Sequence, residues 1–372
     1  MAERHKLAAL IADIHALPAR GVFHVTGGGS LILSDLLCVP GASNTVLEAS
    51  VPYSQAALEH LLGAVPDQAC SADTARALAM CAFLRARELS TDDDCFGFAI
   101  TASLASLERK KGEHRAHLAM QTRTSTHTWS LHLAKNRRKR DEEERLVADL
   151  ALTQLGHVAG IPGVDPDRIP LTEHDELSID AASGDADVQA LLLGERTTVG
   201  TGLPETIFPG AFNPLHDGHH RMAAHAARRT GTEVIFEISL QNVDKPPLNY
   251  HDINVRLSQF DRGTNVWLTN APTFIEKART IGGVTFVVGT DTMIRIADPR
   301  YYRGVVARRD RTLEEFAELG CRFLVFGRVD GDRFVTLDDL ELPAPLAALC
   351  DGVQQHEFRA DVSSSEIRAG RR

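Results

Sequence analysis

Hydrophobic and polar positions alternate along the second half of this chain in a way that predicts strands separated by helices. Short runs rich in β-branched and aromatic residues, which are typical of buried parallel strands, stand at 234–240, 285–288 and 323–326. In one helical stretch between them, Thr312 and Glu315 have capping-box spacing and Gly320 marks the end. The pattern predicts a doubly wound α/β domain that binds its ligand at the carboxyl ends of the strands.

The first half also contains both helix-like and strand-like patterns of hydrophobic residues. Apolar residues recur at helical spacing over 4–16, and a short strand at 21–25 leads through a glycine-rich run, 26–30, into an apolar helix at 31–38. The glycine run fits an anion site or a tight strand-to-helix turn equally well. We therefore predict a second α/β domain in this half.

Between the two halves the pattern weakens. Residues 163–203 are polar and turn-prone, and only 188–193 has the pattern of a short helix. We expect an α/β domain at 1–162, a linker at 163–203 and the second domain at 204–372.

Composition and charge narrow the classes of function. The 372 residues are 43% hydrophobic and 24% charged, which suits a globular protein with two cores. A net charge of −10 argues against nucleic acid or an anionic membrane as the partner. The six cysteines include no Cys-x-x-Cys pair, and no apolar segment approaches membrane-spanning length. A soluble, cytoplasmic protein is expected.

The candidate chemistry is concentrated where the first strand of the second half meets its helix. An apolar run ends at Pro209-Gly210, and His216 and His219 then flank Asp217-Gly218 ahead of a helix-forming run that ends near Gly231. A helix start offers free N–H groups and a positive dipole end to an anion. Gly218 leaves room for a phosphate to approach the backbone.

Three interpretations of the two histidines are possible. Zinc normally needs three or four protein ligands, and no further ligand has a suitable spacing, so no metal site is predicted. A structural pair is the simplest alternative. Phosphate binding is favoured by the surroundings, because imidazole N–H groups donate to phosphate oxygens and the helix start adds backbone donors.

Gly210-Ala-Phe-Asn-Pro-Leu-His-Asp-Gly-His219 resembles the Gly-x-Phe-(Asn/Asp)-Pro-x-His-x-Gly-His signature of the nucleotidylyltransferase superfamily. Near the end of the chain, Val362-Ser-Ser-Ser-Glu-Ile-Arg368 resembles the Ile-Ser-Ser-Thr-x-Ile-Arg segment of the same superfamily. Ser363 and Glu366 there have capping-box spacing. The resemblance covers about 204–372 and implies a Rossmann-like sheet.

Weaker matches fill the space between these two segments. Lys245 follows the second strand, where related enzymes carry a basic residue, and Gly289-Thr-Asp291 resembles a segment that lines the nucleotide site. Arg256-Leu, with an aromatic residue at Phe260, resembles an Arg-Leu-x-Met helix, and Phe326-Gly-Arg328 ends the following strand. Each of these matches also has an ordinary structural explanation: Lys245 as a solvated lysine, Gly289-Thr-Asp291 as a strand-end turn and Arg256 as an exposed helix arginine.

The first half resembles the C-terminal domain of the CinA family, the nicotinamide-nucleotide amidohydrolases. The matching segments, in order, are Thr26-Gly-Gly28, Val39-Pro-Gly-Ala-Ser43, Val51-Pro-Tyr-Ser54, Leu61-Leu-Gly63, Thr74-Ala-Arg-Ala-Leu-Ala79 and Thr101-Ala-Ser103. The active-site residues differ, because His24 stands in place of the nucleophilic serine and Leu58 in place of the lysine. Ser30 is a nearby hydroxyl at another register. We expect a non-hydrolytic domain that binds a nucleotide or makes a homo-oligomer.

The resemblance of the second half to the nucleotidylyltransferase superfamily implies a transfer reaction. In it, an acceptor phosphate attacks the α-phosphorus of a nucleoside triphosphate, and pyrophosphate is released. The resemblance assigns His216 and His219 to the α- and β-phosphates and Arg368 to the β/γ end. Mg²⁺ arrives with the triphosphate and is held mostly by substrate and water. The remaining substrate-binding candidates are Gly210, Phe212, Asn213, Gly218, Lys245, Asp291, Ser363 and Ser364.

The Asn-Pro form of the signature resembles the adenylyltransferases that act on nicotinamide or nicotinate mononucleotide. ATP and one of these phosphorylated acceptors are therefore the expected substrates. Transfer from CTP or to another acceptor is the enzymatic alternative. A nucleotide-binding regulatory protein, or residual deamidase activity in the first half, are the other two hypotheses.

Overall fold

The computed structural model describes residues 2–92, 94–107, 111–167, 169–243, 246–362 and 364–370. The chain forms two compact units. The first comprises Met1–Gly184 together with Asp244–Asp252, and the second comprises Asp185–Val243 together with Ile253–Arg372. A short segment of the second half of the sequence is therefore part of the first unit.

Each half of the chain contains both helices and strands, as the hydrophobic pattern predicts. The α-helices are α1 Ala2–His15, α2 Leu31–Cys38, α3 Gln55–Leu62, α4 Ala72–Leu89, α5 Arg140–Val158, α6 Ala186–Leu192, α7 Asp217–Thr230, α8 Tyr250–Leu257, α9 Phe274–Ile281, α10 Thr290–Ala297, α11 Val306–Glu318, α12 Ala344–Ala347 and α13 Ser364–Gly370. The strands are β1 Arg20–Thr26, β2 Val46–Ser50, β3 Cys95–Ser103, β4 His114–Gln121, β5 Ser125–Leu133, β6 Glu176–Ser183, β7 Thr198–Val199, β8 Thr206–Pro209, β9 Val234–Ser239, β10 Val266–Thr269, β11 Thr285–Gly289, β12 Arg322–Phe326, β13 Arg328–Asp330, β14 Arg333–Val335 and β15 Cys350–Val353.

The first unit is built on a mixed sheet. Over the described residues it has six strands in the order β2-β1-β3-β4-β5-β6. The first three strands pair in parallel, and β3 to β6 pair antiparallel. Its core includes Phe98, Trp129 and Leu150, all fully or almost fully buried.

The second unit is the predicted doubly wound domain, and the prediction of two α/β domains is confirmed. Within the described part of the chain its main sheet has seven strands in the order β15-β12-β11-β8-β9-β10-β7. All neighbours run parallel except β7, which pairs antiparallel with β10. The strand order reverses between β8 and β11, which is where such folds bind ligands.

These two central strands pair over a short length. β8 pairs with β9 along all of Thr206–Pro209, but its recorded register with β11 covers only Thr206 and Ile207. The carboxyl end of β8, which leads to the histidine loop, is therefore beside the switch point of the sheet.

Residues 163–203 contribute elements to both units. β6 is the edge strand beside β5 in the first sheet, and β7 is the edge strand of the second. The Asp185 side chain caps α6 by accepting a hydrogen bond from the Val188 N–H at 2.8 Å. Much of the segment expected as a linker is thus regular structure.

One helix start differs from the sequence prediction. The helix α11 begins at Val306, six residues before Thr312, and the Thr312 hydroxyl donates to the Arg308 carbonyl at 2.9 Å. Thr312 is therefore an interior residue bonded to the preceding turn, and the predicted capping box is wrong. The predicted end is close, because the helix stops at Glu318 and Gly320 has a φ of 72°.

Candidate functional site

The two candidate histidines lie together at the start of α7. His216 is the residue before the helix, with extended backbone (φ −148°, ψ 168°), and His219 is on the first turn. Their rings are stacked, with centroids 3.7 Å apart and planes at 25°. The strand-loop-helix junction thus presents both imidazoles as one unit at the carboxyl edge of the sheet.

A backbone contact determines the tautomer of His219. The His216 N–H donates to Nδ1 of His219 at 3.2 Å, so Nδ1 is an acceptor and Nε2 carries the proton. Burial, together with the neighbouring His216 and His220, lowers the pKa of His219 to about 3. At neutral pH this side chain is an uncharged hydrogen-bond donor.

The ring of His216 rests against a glycine. Burial lowers the pKa of His216, and the Asp217 carboxylate only partly opposes that effect. A Cβ added to Gly218 would stand 2.9 Å from Nδ1 and 3.0 Å from Cε1 of His216. Gly218 is therefore needed for the observed position of the His216 imidazole, in addition to any phosphate that approaches its backbone.

Aromatic side chains pack against the His216–His219 pair. The Phe212 ring is 1% exposed and lies 5.1 Å from the His219 ring and 5.3 Å from Phe236, centroid to centroid. Its φ of 43° is left-handed, which a residue other than glycine adopts only when its surroundings enforce it. A Cβ on Gly210 would come within 2.5 Å of this ring. Phe212 and Gly210 thus support His219, and the Phe212 side chain is not open to a ligand.

The C-terminal helix meets the same loop. The Arg368 guanidinium donates to the Asn213 carbonyl, and the Ser364 hydroxyl donates to the Pro214 carbonyl at 2.9 Å. The two segments that carry the superfamily resemblance are therefore in contact, although 155 residues separate Asn213 from Arg368. The Asn213 contact uses one of the five N–H donors of the arginine.

Gln259 is a further contact of the loop, and sequence reasoning missed it. Its Nε2 donates to the Phe212 carbonyl at 3.0 Å, and its Oε1 accepts from the Leu215 N–H at 2.8 Å. Gln259 follows α8 and stands at the methionine position of the Arg-Leu-x-Met pattern that begins at Arg256. That departure from the pattern was the available signal.

Asp291 and Arg328 meet at the ends of adjacent strands. Asp291 follows β11, Arg328 follows β12, and their side chains form an ion pair. Each is about half exposed, at 57% and 48%. The two weaker candidate segments are therefore neighbours at the carboxyl edge, and the Asp291 carboxylate is already engaged by a cation.

Two candidates, Lys245 and Ser363, lie outside the described residues. Among the residues that the structure does describe, no group of three or more histidine, cysteine, aspartate or glutamate side chains is arranged to hold a metal ion. No helix in those ranges combines the length and apolar character needed to cross a bilayer.

In the first unit, the two residues that replace the amidohydrolase serine and lysine are buried. His24 is 2% exposed in β1, with Nδ1 2.7 Å from the Ser50 hydroxyl, and Leu58 is 3% exposed in α3. Burial lowers the pKa of His24, an effect that Glu48 partly opposes. Neither side chain is placed to act as a nucleophile or a proton acceptor for an external substrate.

The glycine-rich loop of the first unit holds an internal carboxylate. Glu144 accepts hydrogen bonds from the backbone of Gly29 and Ser30 and from the Ser30 hydroxyl at 2.9 Å. Arg140 stands 3.6 Å away and also donates to the Gly27 carbonyl at 2.7 Å. Glu144 thus occupies the position at the start of α2 where an anion would bind.

Replacing this carboxylate should destabilise the first unit in a pH-dependent way. Burial alone raises the pKa of Glu144, but the hydrogen bonds from Gly29 and Ser30 and the attraction of Arg140 outweigh it, so the pKa is below its usual range. Its stabilising effect is present above the unfolded pKa of about 4.3 and is lost as the pH falls through the folded value. We expect Glu144→Gln to lower the free energy of unfolding by about 1–2 kcal/mol at pH 7.

The measurement is denaturant unfolding of the full chain carrying Trp267→Phe, which leaves Trp129 in the first core as the single tryptophan. The Glu144→Gln effect should shrink below about pH 4. Glu88→Gln, which removes an exposed carboxylate on α4, is the control and should change stability by less than about 0.5 kcal/mol. An equal loss at pH 7 and pH 3 would contradict the assignment.

The first unit also has a cationic cavity beside this loop. Its volume is about 950 Å³, and basic residues make up half of its ten lining residues. They are Lys111, Lys135, Arg138, Lys139 and Arg140. Arg138 is paired with the buried Asp175 at 2.5 Å, and Lys135 donates to the Lys111 carbonyl at 2.8 Å. Local charge here is opposite in sign to the net charge of the chain.

Comparison with known families bears on the second unit. Residues 207–370 match the family model described as cytidylyltransferase-like. The match begins in β8 and ends in α13, so it includes the histidine loop, Gln259 and Arg368. The predicted nucleotidylyltransferase-superfamily domain is confirmed. No curated protein matches the chain.

Solved structures similar to the chain belong to competence/damage-inducible proteins. Those of CihA from Agrobacterium tumefaciens and of a CinA superfamily protein from Escherichia coli are 24% and 21% identical, with TM-scores of 0.34 and 0.33. They cover 41% and 42% of this chain and 93% and 90% of their own. The competence damage-inducible protein A from Klebsiella pneumoniae is 17% identical, with a TM-score of 0.34, and the match covers 41% of this chain and 95% of that protein.

Proposed function

We propose that the cytidylyltransferase-like domain at residues 207–370 transfers a nucleoside monophosphate from a nucleoside triphosphate to a phosphorylated acceptor and releases pyrophosphate. The observation that carries this proposal is the stacked His216–His219 pair at a helix start. Both imidazoles have lowered pKa values, so they donate hydrogen bonds to phosphate oxygens while remaining neutral.

The reaction needs position and electrostatics more than covalent catalysis. An oxygen of the acceptor phosphate forms a bond to the α-phosphorus, and the bond from that phosphorus to the bridging oxygen breaks. The bridging oxygen takes the electron pair, and pyrophosphate leaves. Negative charge increases on the α-phosphate oxygens, where the Nε2–H of His219 and the free N–H groups of α7 are the donors.

Residues outside the histidine loop complete this role. The half-buried Arg368, which donates to the Asn213 carbonyl, would supply positive charge beside the loop. Asp291 and Arg328 stand on the other side of the switch point, where the nucleoside would lie. Ser364 supports the loop backbone through Pro214.

Mg²⁺ would enter with the triphosphate. Phosphate oxygens and water would supply most of its ligands. When bound, it neutralises part of the triphosphate charge. The side chains of this chain then orient the α-phosphate and donate to its oxygens.

For the substrates, we propose ATP with nicotinamide or nicotinate mononucleotide as the acceptor. The Asn-Pro form of the loop, Asn213-Pro214, supports an acceptor of this class through its resemblance. A cytidylyltransferase is the second candidate, and the family description favours it.

The first unit is proposed to have a non-hydrolytic role. This is supported by the burial of His24 and Leu58 and by the position that Glu144 fills.

The test is a matrix of donors and acceptors. The full chain is incubated with Mg²⁺, ATP or CTP, and a panel of phosphorylated acceptors that includes both pyridine mononucleotides, and pyrophosphate and product mass are measured. Pyrophosphate with ATP and a pyridine mononucleotide is the expected result. Pyrophosphate released only with CTP would show that CTP, and not ATP, is the donor. No pyrophosphate from any pair would reject the transferase proposal, and ammonia from nicotinamide mononucleotide would reject the non-hydrolytic first unit.

A further inference from the structure

Both polar atoms of the Gln259 amide bind the backbone of the histidine loop. Nε2 donates to the Phe212 carbonyl at 3.0 Å, and Oε1 accepts from the Leu215 N–H at 2.8 Å. The two contacts bracket the Asn213-Pro214 dipeptide. We propose that Gln259 is a positioning residue that sets the position and orientation of the His216 and His219 rings for the transfer reaction. This inference rests on the proposed function.

The path from Gln259 to the chemistry is short. Leu215 immediately precedes His216, whose own N–H binds Nδ1 of His219. Phe212, at the other end of the bracket, packs its ring against His219 at 5.1 Å. A shift of either end of the loop would therefore move an imidazole. Loss of the amide contacts moves both ends.

Other side chains cannot replace this contact. Arg368 and Ser364 bind the carbonyls of Asn213 and Pro214, which lie between the two atoms that Gln259 holds. Phe260, next to Gln259, packs on Phe212 at 5.6 Å and anchors this end of α8 to the loop. The Leu215 N–H donates to Gln259 Oε1 and not to the side chain of Arg368 or Ser364.

A carboxyl group at this position makes the proposal testable through pH. When ionised, it has no donor for the Phe212 carbonyl, but when protonated it supplies both an O–H donor and an acceptor, as the amide does. Gln259→Glu should therefore lose kcat at pH 8 by about 10- to 100-fold relative to wild type and recover much of it as the pH falls through about 4, near the ordinary pKa of a glutamate. Gln259→Met, which removes both hydrogen bonds at similar volume, should lose as much at every pH.

Rates are expressed relative to wild type at the same pH, which cancels titration of groups common to all variants. The charged or titratable groups next to Gln259 in the chain are Arg256, Asp261 and Arg262. Those of the histidine loop, the first turn of α7 and the arginine that contacts the loop are His216, Asp217, His219, His220 and Arg368. The KM for the nucleoside triphosphate should change less than about threefold, since the loop is displaced rather than removed. The matched control is Gln354→Met, which removes a surface contact to Asp338 and should leave kcat unchanged.

The outcomes separate the two ideas. An active wild type with unchanged kcat in Gln259→Met, or a Gln259→Glu ratio that stays flat from pH 8 to about pH 4, overturns the role of Gln259 alone. A wild type that releases no pyrophosphate overturns the proposed function and this assignment with it. Thermal melts of all variants confirm that the rates are those of folded protein.

Discussion

We expect His219→Ala to lower the kcat of pyrophosphate release by about 100- to 1000-fold, because it removes a preorganised donor to the developing negative charge. The factor should be constant between about pH 6 and pH 9, since the pKa of His219 is lowered to about 3 and the imidazole is neutral throughout. Initial rates at saturating substrates, measured across this range, provide the check.

A second variant separates chemistry from stability at the same position. His219 is the third residue of α7, where a glutamine side chain also reaches back to the backbone N–H before the helix. His219→Gln should therefore keep the wild-type melting temperature while losing activity. His220→Ala, on the same turn but exposed, is the control and should retain kcat within about twofold. Comparable losses in the control, or full activity in His219→Ala, would rule out this role.

The other large effect is expected for Gly218→Ala. The added Cβ would stand 2.9 Å from Nδ1 of His216, which forces that ring to move. A displacement of this size at the reacting centre costs about 100-fold in kcat. Stability should not fall, because alanine favours the helix by up to about 1 kcal/mol over glycine and Gly218 does not have a positive φ.

The measurement pairs kcat with a thermal melt. Gly112→Ala, where an added Cβ meets open space, is the control and should leave both quantities unchanged. A Gly218→Ala protein that is fully active would show that the His216 ring position is unimportant for the reaction. Activity that is lost only because the variant unfolds would contradict the prediction that Gly218→Ala keeps its stability.

Local sequence was enough to predict the elements that carry the site. The apolar run before Gly210, the break at Pro209-Gly210 and the helix-forming residues up to Gly231 gave a strand, a loop and a helix, as observed. The prediction failed where local spacing was ambiguous. Thr312 and Glu315 have the spacing of a cap, but the helix begins at Val306.

Contacts between distant residues decided the rest of the site. Gln259 is 44 positions from Leu215, and Glu144 is 114 positions from Ser30. No spacing rule relates such pairs, because their distance depends on how the strands are ordered in the sheet. In sequence, the glycine-rich loop of the first unit fits an anion site or a tight turn equally well, and the position of Glu144 beside it is known only from the structure.

The sequence by itself determined the α/β class, the strand-loop-helix junction and the presence of two histidines three residues apart, since these depend on short-range periodicity and turn chemistry. The tertiary structure decided the charge and tautomer of His219, the two hydrogen bonds from Gln259 to the histidine loop and the pairing of Asp291 with Arg328. Burial and hydrogen-bond partners set these properties, and both arise only when elements far apart in the chain pack together.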